Sequence, residues 1–311
     1  AKNGNPNKIQ ANVIITGIVL FLALVLFLMW AKNGLDLKIK DAYIIIAVAL
    51  LIRLIASVLY TGFLVDIRCF SAWGERMASA GLFNFYSSDF FCDYPPLYMI
   101  VLGIISFITK PFELNLQEGF GLIILKLPAV ICDCLAAIML MKISKKHVGE
   151  KLAAILGIGY ALLPTAILNS AVWGQVDSIL VLFMLITFYL IDEDKFGLSI
   201  LVFVIGLLFK PQAVLFGPVM LLAAAREFYV IYLAYKRKDK KDANSRLLKG
   251  FGFLGASVLL FLLISVTMKN DQDIFWLVDK YMDTLGSYDY ATLSSFGLMG
   301  LLKGQSEPSD Q

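Results

Sequence analysis

Two aspartates lie where ionised groups are costly, at the edges of long apolar runs. Asp66 follows the apolar run 42–62 by four residues, and Asp177 interrupts a stretch that would otherwise form a continuous apolar hairpin. Ionisable side chains at membrane depth are usually functional, because burying a charge there is unfavourable. An ionised carboxylate with an ordinary pKa can act as a general base at neutral pH. Asp66 and Asp177 are therefore candidates for a site.

A lysine and an arginine interrupt apolar runs in the same way. Lys210 lies in the sequence LLFKPQAVL, where Pro211 disfavours helix at the residue before it and so predicts a break at the lysine. The ammonium group there either takes an anionic partner, for which a lipid phosphate is the candidate, or extends to the membrane surface. Arg53 lies in the middle of the run 42–62 and can pair with Asp133, which is also within an apolar run.

Composition indicates that membrane-spanning helices hold these residues. The chain has 311 residues, of which 59% are hydrophobic and 16% charged, against about 25% charged in a typical soluble domain. Because backbone polar groups must be satisfied internally in lipid, runs of roughly 20 apolar residues cross as helices. The basic runs are short and abut apolar spans, which does not favour nucleic-acid binding. The sequence predicts an all-α fold, a polytopic membrane helix bundle with eight crossings at 12–30, 42–62, 119–141, 152–168, 178–191, 197–209, 211–225 and 251–268.

The distribution of lysine and arginine predicts which ends of these helices share a side of the membrane. The segment 226–249 contains eight basic residues and is inside by the positive-inside rule. Counting along the chain places two further segments inside, 142–151 and 192–196, and four outside: 63–118, 169–177, the region around 210, and 269–311. The stretch 95–109 is interpreted as a juxtamembrane or re-entrant helix because about 15 residues are few for a crossing, an ordinary short span being the alternative.

Four short motifs occur in order along the chain. They are VDIRCFSAWGER at 65–76 followed by DYPPLY at 93–98, WGQVDS at 173–178, KPQA at 210–213 and YDYATLSSFGLMGLL at 288–302. Together they resemble the GT-C superfamily of integral membrane glycosyltransferases, and in particular protein O-mannosyltransferases and bacterial members similar to dolichol-linked glucosyltransferases. The resemblance implies three regions: 1–41, an extra N-terminal transmembrane helix and loop; 42–268, a seven-span GT-C-like module with its catalytic outer loop at 63–118; and 269–311, an outer loop expected to be truncated.

The resemblance also implies an activity. It is the transfer of a hexose, with inversion, from a polyprenyl-phosphate-linked donor to an acceptor hydroxyl on the outer face. In that reaction Asp66 is the general base, and Lys210, with Arg53 or with Lys126, a charge within the apolar run 119–141, stabilises the leaving phosphate. The other implied substrate-binding residues are Asp93, Tyr94, Trp173, Gln175, Asp177 and Gln212. No metal or other cofactor is implied, although Asp66 and Asp177 offer oxygen ligands to a divalent ion.

One alternative function is a flippase or transporter for lipid-linked glycans. Polar breaks within helices, as predicted at 169–177 and 210–212, also occur in transporters. Against it, no inverted internal repeat is found and the acids cluster on one face. The expected partners are the lipid bilayer, a lipid-linked sugar donor and a glycan or protein acceptor, with no nucleic acid. The expected location is a bacterial cell membrane, with the active site on its outer face.

Overall fold

A computed structural model describes residues 37–286, together with residues 27 and 34. Every regular element in this part of the chain is helical, which confirms the predicted all-α membrane bundle. The α-helices are α1 (Ile39–Leu59), α2 (Leu64–Asn84), α3 (Pro96–Thr109), α4 (Gly119–Ala161), α5 (Pro164–Ile167), α6 (Asp177–Asp192), α7 (Phe196–Phe209), α8 (Gly217–Lys236), α9 (Lys240–Met268) and α10 (Trp276–Gly286). Two predicted features lie outside the described residues. They are the crossing at 12–30, apart from residue 27, and the motif at 288–302.

Four of the described helices are long and apolar enough to cross a membrane. They are α1, α4, α8 together with the short 3-10 helix Pro211–Phe216 before it, and α9. Helix α4 is not one straight rod, because Gly149 within it has a φ of 79° and non-helical geometry. A positive φ is accessible to glycine at little cost. The chain therefore bends within 142–151, where the sequence predicts an inside loop between two crossings.

The charged loops that the sequence places inside meet at one end of the bundle, called here the basic end. Lys146 donates a hydrogen bond to Asp192 at 3.0 Å and contacts Glu193, which joins the bend in α4 to the α6–α7 turn. Arg246 at the start of α9 forms ion pairs with Asp194 and with Glu227. These contacts bring segments 142–151, 192–196 and 226–249 together, as the charge distribution predicts.

The opposite end, called here the site end, is recessed at α6 and α7. Helix α6 has 16 residues, about 24 Å at 1.5 Å per residue, and α7 has 14, about 21 Å. A bilayer hydrocarbon core is about 30 Å thick. With the basic end at one membrane boundary, the far ends of α6 and α7 therefore stop short of the other. The polar residues at those ends are therefore expected below that boundary.

Helices α2 and α3 pack against each other at the site end. The N–H of Phe63, just before α2, donates to the carbonyl of Trp173 at 3.1 Å, so α2 begins at the site end. Helix α3 begins just after Tyr94, whose hydroxyl donates to Gln175 Oε1 at 3.0 Å. The chain then continues from the end of α3 to the start of α4. Both ends of α3 therefore connect to segments at the site end, and the interpretation of 95–109 as a non-crossing helix stays a prediction. The buried side chains at this end include Phe70, Trp73, Tyr98, Met99 and Leu102.

The orientation of the two ends can be measured by cysteine labelling. In a cysteine-free background, we expect Lys240→Cys at the basic end to react with an impermeant maleimide in sealed vesicles whose cytoplasmic face is outward. Asn115→Cys at the site end is expected to react only after detergent is added, because the positive-inside rule places the basic end in the cytoplasm. Both positions are exposed, so access does not distinguish them. Labelling in the opposite order would reverse the assigned orientation.

Candidate binding site

The site end holds a network of polar side chains centred on Gln175. The Gln175 amide donates through Nε2 to Oδ2 of Asp66 at 2.6 Å. Its Oε1 accepts from the Tyr94 hydroxyl at 3.0 Å and from Lys210 Nζ at 3.3 Å. An amide both donates and accepts, so this one side chain joins groups from α2, the loop before α3 and the end of α7. The polar cluster, as it is called below, comprises Asp66, Tyr94, Asn169, Trp173, Gln175, Asp177 and Lys210.

Lys210 finds its anionic partner inside the protein. It is the last residue before Pro211, where α7 ends, and its ammonium group forms an ion pair with Asp177 at the start of α6. Asp177 also accepts a hydrogen bond from Asn169 Nδ2 at 2.9 Å. Lys210 is 8% exposed and also lies 5.5 Å from the ring centre of Tyr94, a cation–π distance. The predicted helix break is therefore confirmed, and Asp177 supplies an anionic partner for the ammonium group within the protein.

Asp66 is held in place by two donors. Its Oδ2 accepts from Trp173 Nε1 at 2.9 Å as well as from Gln175, which fixes the carboxylate on the first turn of α2. The approach of the two segments is close, because a Cβ on Gly62 would lie 2.2 Å from the carbonyl oxygen of Trp173. Gly62 also has a φ of 95°, which favours glycine. The chain before α2 therefore packs directly against the segment that carries Trp173 and Gln175.

The segment between α5 and α6 has an unusual backbone that presents these side chains. Residues Leu168–Trp173 form a π-helical turn, and Gly174 follows it with a φ of 90°. The carbonyl of Asn169 accepts from the N–H groups of both Gly174 and Gln175, at 3.1 and 3.0 Å. π-Helical turns are rare and occur often at functional sites. The turn brings Asn169 and Gln175 to the same side of the bundle, which their spacing in a regular α-helix would not do.

Lys126 is buried against the π-helical turn. Its buried ammonium group donates to three carbonyl oxygens, those of Tyr60 at 2.7 Å, Ala171 at 2.9 Å and Val172 at 3.2 Å. An ammonium group has three hydrogens to donate, and all three have a partner here. Lys126 therefore ties α4 to the end of α1 and to the π-helical turn. The sequence identifies it as a charge in an apolar run but does not predict this structural role.

Asp93 lies next to the polar cluster and interacts electrostatically with its members Asp66 and Lys210. It precedes Tyr94 in the loop between α2 and α3 and is partly buried. Burial raises the pKa of its carboxyl group, and the charge of Asp66 adds to the increase, whereas the positive charges of Lys280 and Lys210 oppose it. These interactions place Asp93 between the polar cluster and Lys280 on α10. The sequence predicts Asp93 as a site residue but gives no indication of Lys280.

Two other predicted site residues are not part of the cluster. Arg53 is fully buried between α1 and α4, where its Nε donates to Asp133 Oδ2 at 3.2 Å and its Nη1 to the carbonyl of Ala161 at 2.6 Å. The predicted pairing of Arg53 with Asp133 is thus confirmed, and this pair is separate from the polar cluster. Gln212 is exposed and makes no hydrogen bond to another described residue. Asn169 was missed, although it lies eight residues before Asp177 in the same predicted outer segment.

Fold and site together define a multi-pass helical membrane protein with a recessed polar cluster at one end of its bundle. A family model described as GPI transamidase subunit PIG-U matches residues 74–292. The chain belongs to this family, because the match covers well over half of its length. No curated protein and no solved structure was found to match the chain.

Family membership corrects the predicted activity. The match is to a transamidase subunit, so the predictions that the chain is a sugar-transferring enzyme, with Asp66 as its general base, and that it is alternatively a flippase are wrong. The motifs at 93–98, 173–178 and 210–213 lie within the matched residues 74–292. The resemblance is therefore supported only as far as an integral membrane protein family, and the family shown for this chain is that of the transamidase subunit.

Proposed function

We propose that the chain is a non-catalytic membrane subunit of a GPI transamidase and that its polar cluster binds the polar part of the GPI lipid. The recessed position of the cluster carries this proposal. A lipid whose chains lie in the bilayer brings its polar part to the depth at which α6 and α7 end. Asp66, Gln175, Asp177 and Lys210 there offer both donors and acceptors.

The described cysteines and the histidine support a binding role rather than a catalytic one. Transfer of an acyl group from one amine to another commonly uses a nucleophile activated by a neighbouring base. The single histidine, His147, lies at the basic end beside Asp192. At the site end, burial raises the pKa of the Cys92 thiol to about 12, so it stays protonated at neutral pH. A thiol and the imidazole thus lie at opposite ends and do not form a reactive pair.

Membership of a transamidase complex also changes the expected surroundings of the chain. The proposed partners are the other protein subunits of that complex and the GPI lipid, in place of a lipid-linked sugar donor and its acceptor. The proposed location is the membrane of the endoplasmic reticulum, in place of a bacterial cell membrane. The site end then faces the lumen, because the basic end is expected in the cytoplasm.

The proposal is tested by replacing Gln175 in cells that lack the endogenous subunit and carry a GPI-anchored reporter protein. Gln175→Leu removes three hydrogen bonds at the centre of the cluster. At about 1 kcal/mol net for each bond, we expect surface reporter to fall at least about tenfold. Gln212→Leu is the matched control, because Gln212 is exposed and outside the cluster. Reporter is counted by flow cytometry at equal subunit expression.

Two results would contradict the proposal. Failure of the wild-type chain to restore the reporter or to copurify with transamidase subunits would remove the assignment as a subunit. A Gln175→Leu chain that copurifies normally and restores the full reporter level would remove the polar cluster as the lipid-binding site. Binding of purified GPI lipid to the chain in nanodiscs separates this second result from a defect in assembly.

A further inference from the structure

A polar cavity opens between the loop after α2 and the start of α10, and its lining includes Asp93 next to the polar cluster. Its volume is about 450 Å³, within the range of roughly 300–1,000 Å³ typical of ligand sites. Residues 86–93 form one wall, and Gln272 and Lys280 form the other. Asp93 lines the cavity, and the adjacent Tyr94 donates to Gln175 in the cluster. A ligand that extends from the cluster along this loop therefore enters the cavity.

The loop wall is held in a fixed shape by hydrogen bonds from α2. Arg76 donates through Nε to the carbonyl of Phe85 at 2.7 Å and through Nη2 to the Ser87 hydroxyl at 2.7 Å. Trp73 Nε1 donates to the carbonyl of Phe91 at 3.0 Å. Lys280 from the opposite wall donates to the carbonyl of Cys92. A cavity whose walls are already ordered loses less conformational entropy when it binds a ligand.

The groups that face the cavity suit a ligand rich in hydroxyl groups. Asp89 and Ser88 are exposed in the loop wall, and the half-buried side-chain amide of Gln272 makes no hydrogen bond to another described residue. The Phe91 ring is 70% exposed and offers an aromatic face. The face of an aromatic ring is electron-rich and attracts polarised hydrogens, such as the C–H hydrogens on one side of a sugar ring. Carboxylate and amide groups beside an aromatic face can bind both parts of a sugar.

The charge of the cavity disfavours a phosphate as its occupant. Its lining carries two carboxylates, Asp89 and Asp93, and one ammonium group, that of Lys280. An anion there would be repelled by the carboxylates of Asp89 and Asp93 and attracted by the ammonium group of Lys280. That ammonium group already interacts with the charge of Asp93 and donates to the carbonyl of Cys92. A neutral sugar hydroxyl has no such penalty.

We propose that this cavity binds one sugar residue of the lipid-linked glycan whose lipid-proximal part occupies the polar cluster. This inference rests on the proposed function, because the cluster is the point from which the glycan extends. The polar cluster recognises the lipid-proximal part of the ligand, and the cavity recognises one of its sugar residues. The two regions share the loop residues Asp93 and Tyr94, so binding in one fixes the direction in which the glycan enters the other.

The test measures binding of delipidated GPI glycan to the full chain in nanodiscs, by saturation-transfer NMR on the sugar protons. Phe91→Leu removes the aromatic face and Gln272→Leu removes the amide, and each is expected to weaken glycan binding at least about fivefold. Phe112→Leu is the matched control, because Phe112 is 71% exposed and lies in the turn after α3. Binding of intact GPI lipid is measured in parallel, with inorganic phosphate as competitor.

Each outcome separates the cavity from the polar cluster. Weakened glycan binding in both cavity variants, with normal binding in Phe112→Leu, would support the inference. If the wild type binds intact GPI lipid but neither cavity variant affects the delipidated glycan, the cavity assignment is wrong and the proposed function stands. Binding of neither ligand would overturn both. Displacement of the glycan by inorganic phosphate would show an anion site and overturn the assignment to a sugar.

Discussion

Replacing Arg53 with methionine is expected to destabilise the bundle by about 3–5 kcal/mol, the usual cost of removing one partner from a buried ion pair. Arg53 is fully buried and Asp133 is 2% exposed, so the remaining carboxylate would have no route to solvent. Asp133 also accepts from Ser170 and Tyr160, so the change reaches the π-helical turn. Unfolding in detergent, followed by temperature or denaturant, measures the loss.

A double variant distinguishes the effect of an unpaired charge from the effect of lost packing. Asp133→Asn removes the charge but keeps an oxygen that can accept from Ser170 and Tyr160. We expect Arg53→Met with Asp133→Asn to be more stable than Arg53→Met alone. Arg68→Met, at an exposed position on α2, serves as the control and should change stability by less than about 0.5 kcal/mol. A double variant no more stable than Arg53→Met would show that packing, and not charge, dominates.

Lys126→Met is expected to lower stability by about 3 kcal/mol and to displace the segment that carries Trp173 and Gln175. Three carbonyl oxygens lose their donor in this variant, and a buried polar group without a partner costs about 1–3 kcal/mol. Methionine has a similar length and fills the same space, so the loss reports hydrogen bonding more than volume. The stability of the purified chain and its binding of GPI lipid are both measured, and both should fall.

The same helix provides the control for Lys126. Lys142→Met is the identical substitution in α4, at an exposed lysine whose ammonium lies 4.4 Å from the ring centre of Tyr189. It is expected to leave GPI lipid binding unchanged, because Tyr189 is in the half of α6 near the basic end. Normal stability and binding in Lys126→Met would show that the π-helical turn keeps its shape without the lysine, and the structural role assigned to Lys126 would be wrong.

The functional prediction shows what short sequence motifs can and cannot establish. The residues that the resemblance named as site residues include five that contact one another in the structure, Asp66, Trp173, Gln175, Asp177 and Lys210. A role for them in binding a substrate stays a prediction. In the structure Asp66 accepts from two donors and Asp177 is paired with Lys210. The family match then excluded sugar transfer.

The sequence alone determined the helices, their two ends and one buried pair. Each membrane helix satisfies its own backbone hydrogen bonds, so the long apolar runs were sufficient to predict α1, α4, α8 and α9. The loop charges separated the basic end from the site end, and two opposite charges within apolar runs predicted that Arg53 pairs with Asp133. These features depend on local sequence or on the high cost of an isolated charge in lipid.

Only the tertiary structure decided which polar groups satisfy one another at the site end. Lys210 contacts Asp177, 33 residues earlier in the sequence, a pairing that the sequence analysis does not predict. Lys126 donates to the carbonyls of Tyr60, Ala171 and Val172, which lie 66, 45 and 46 residues from it in the sequence. The cavity likewise joins the loop at 86–93 to residues 272 and 280. Hydrogen bonds between distant segments have no period in the sequence, because they depend on how the helices pack and on where a π-helical turn redirects the chain.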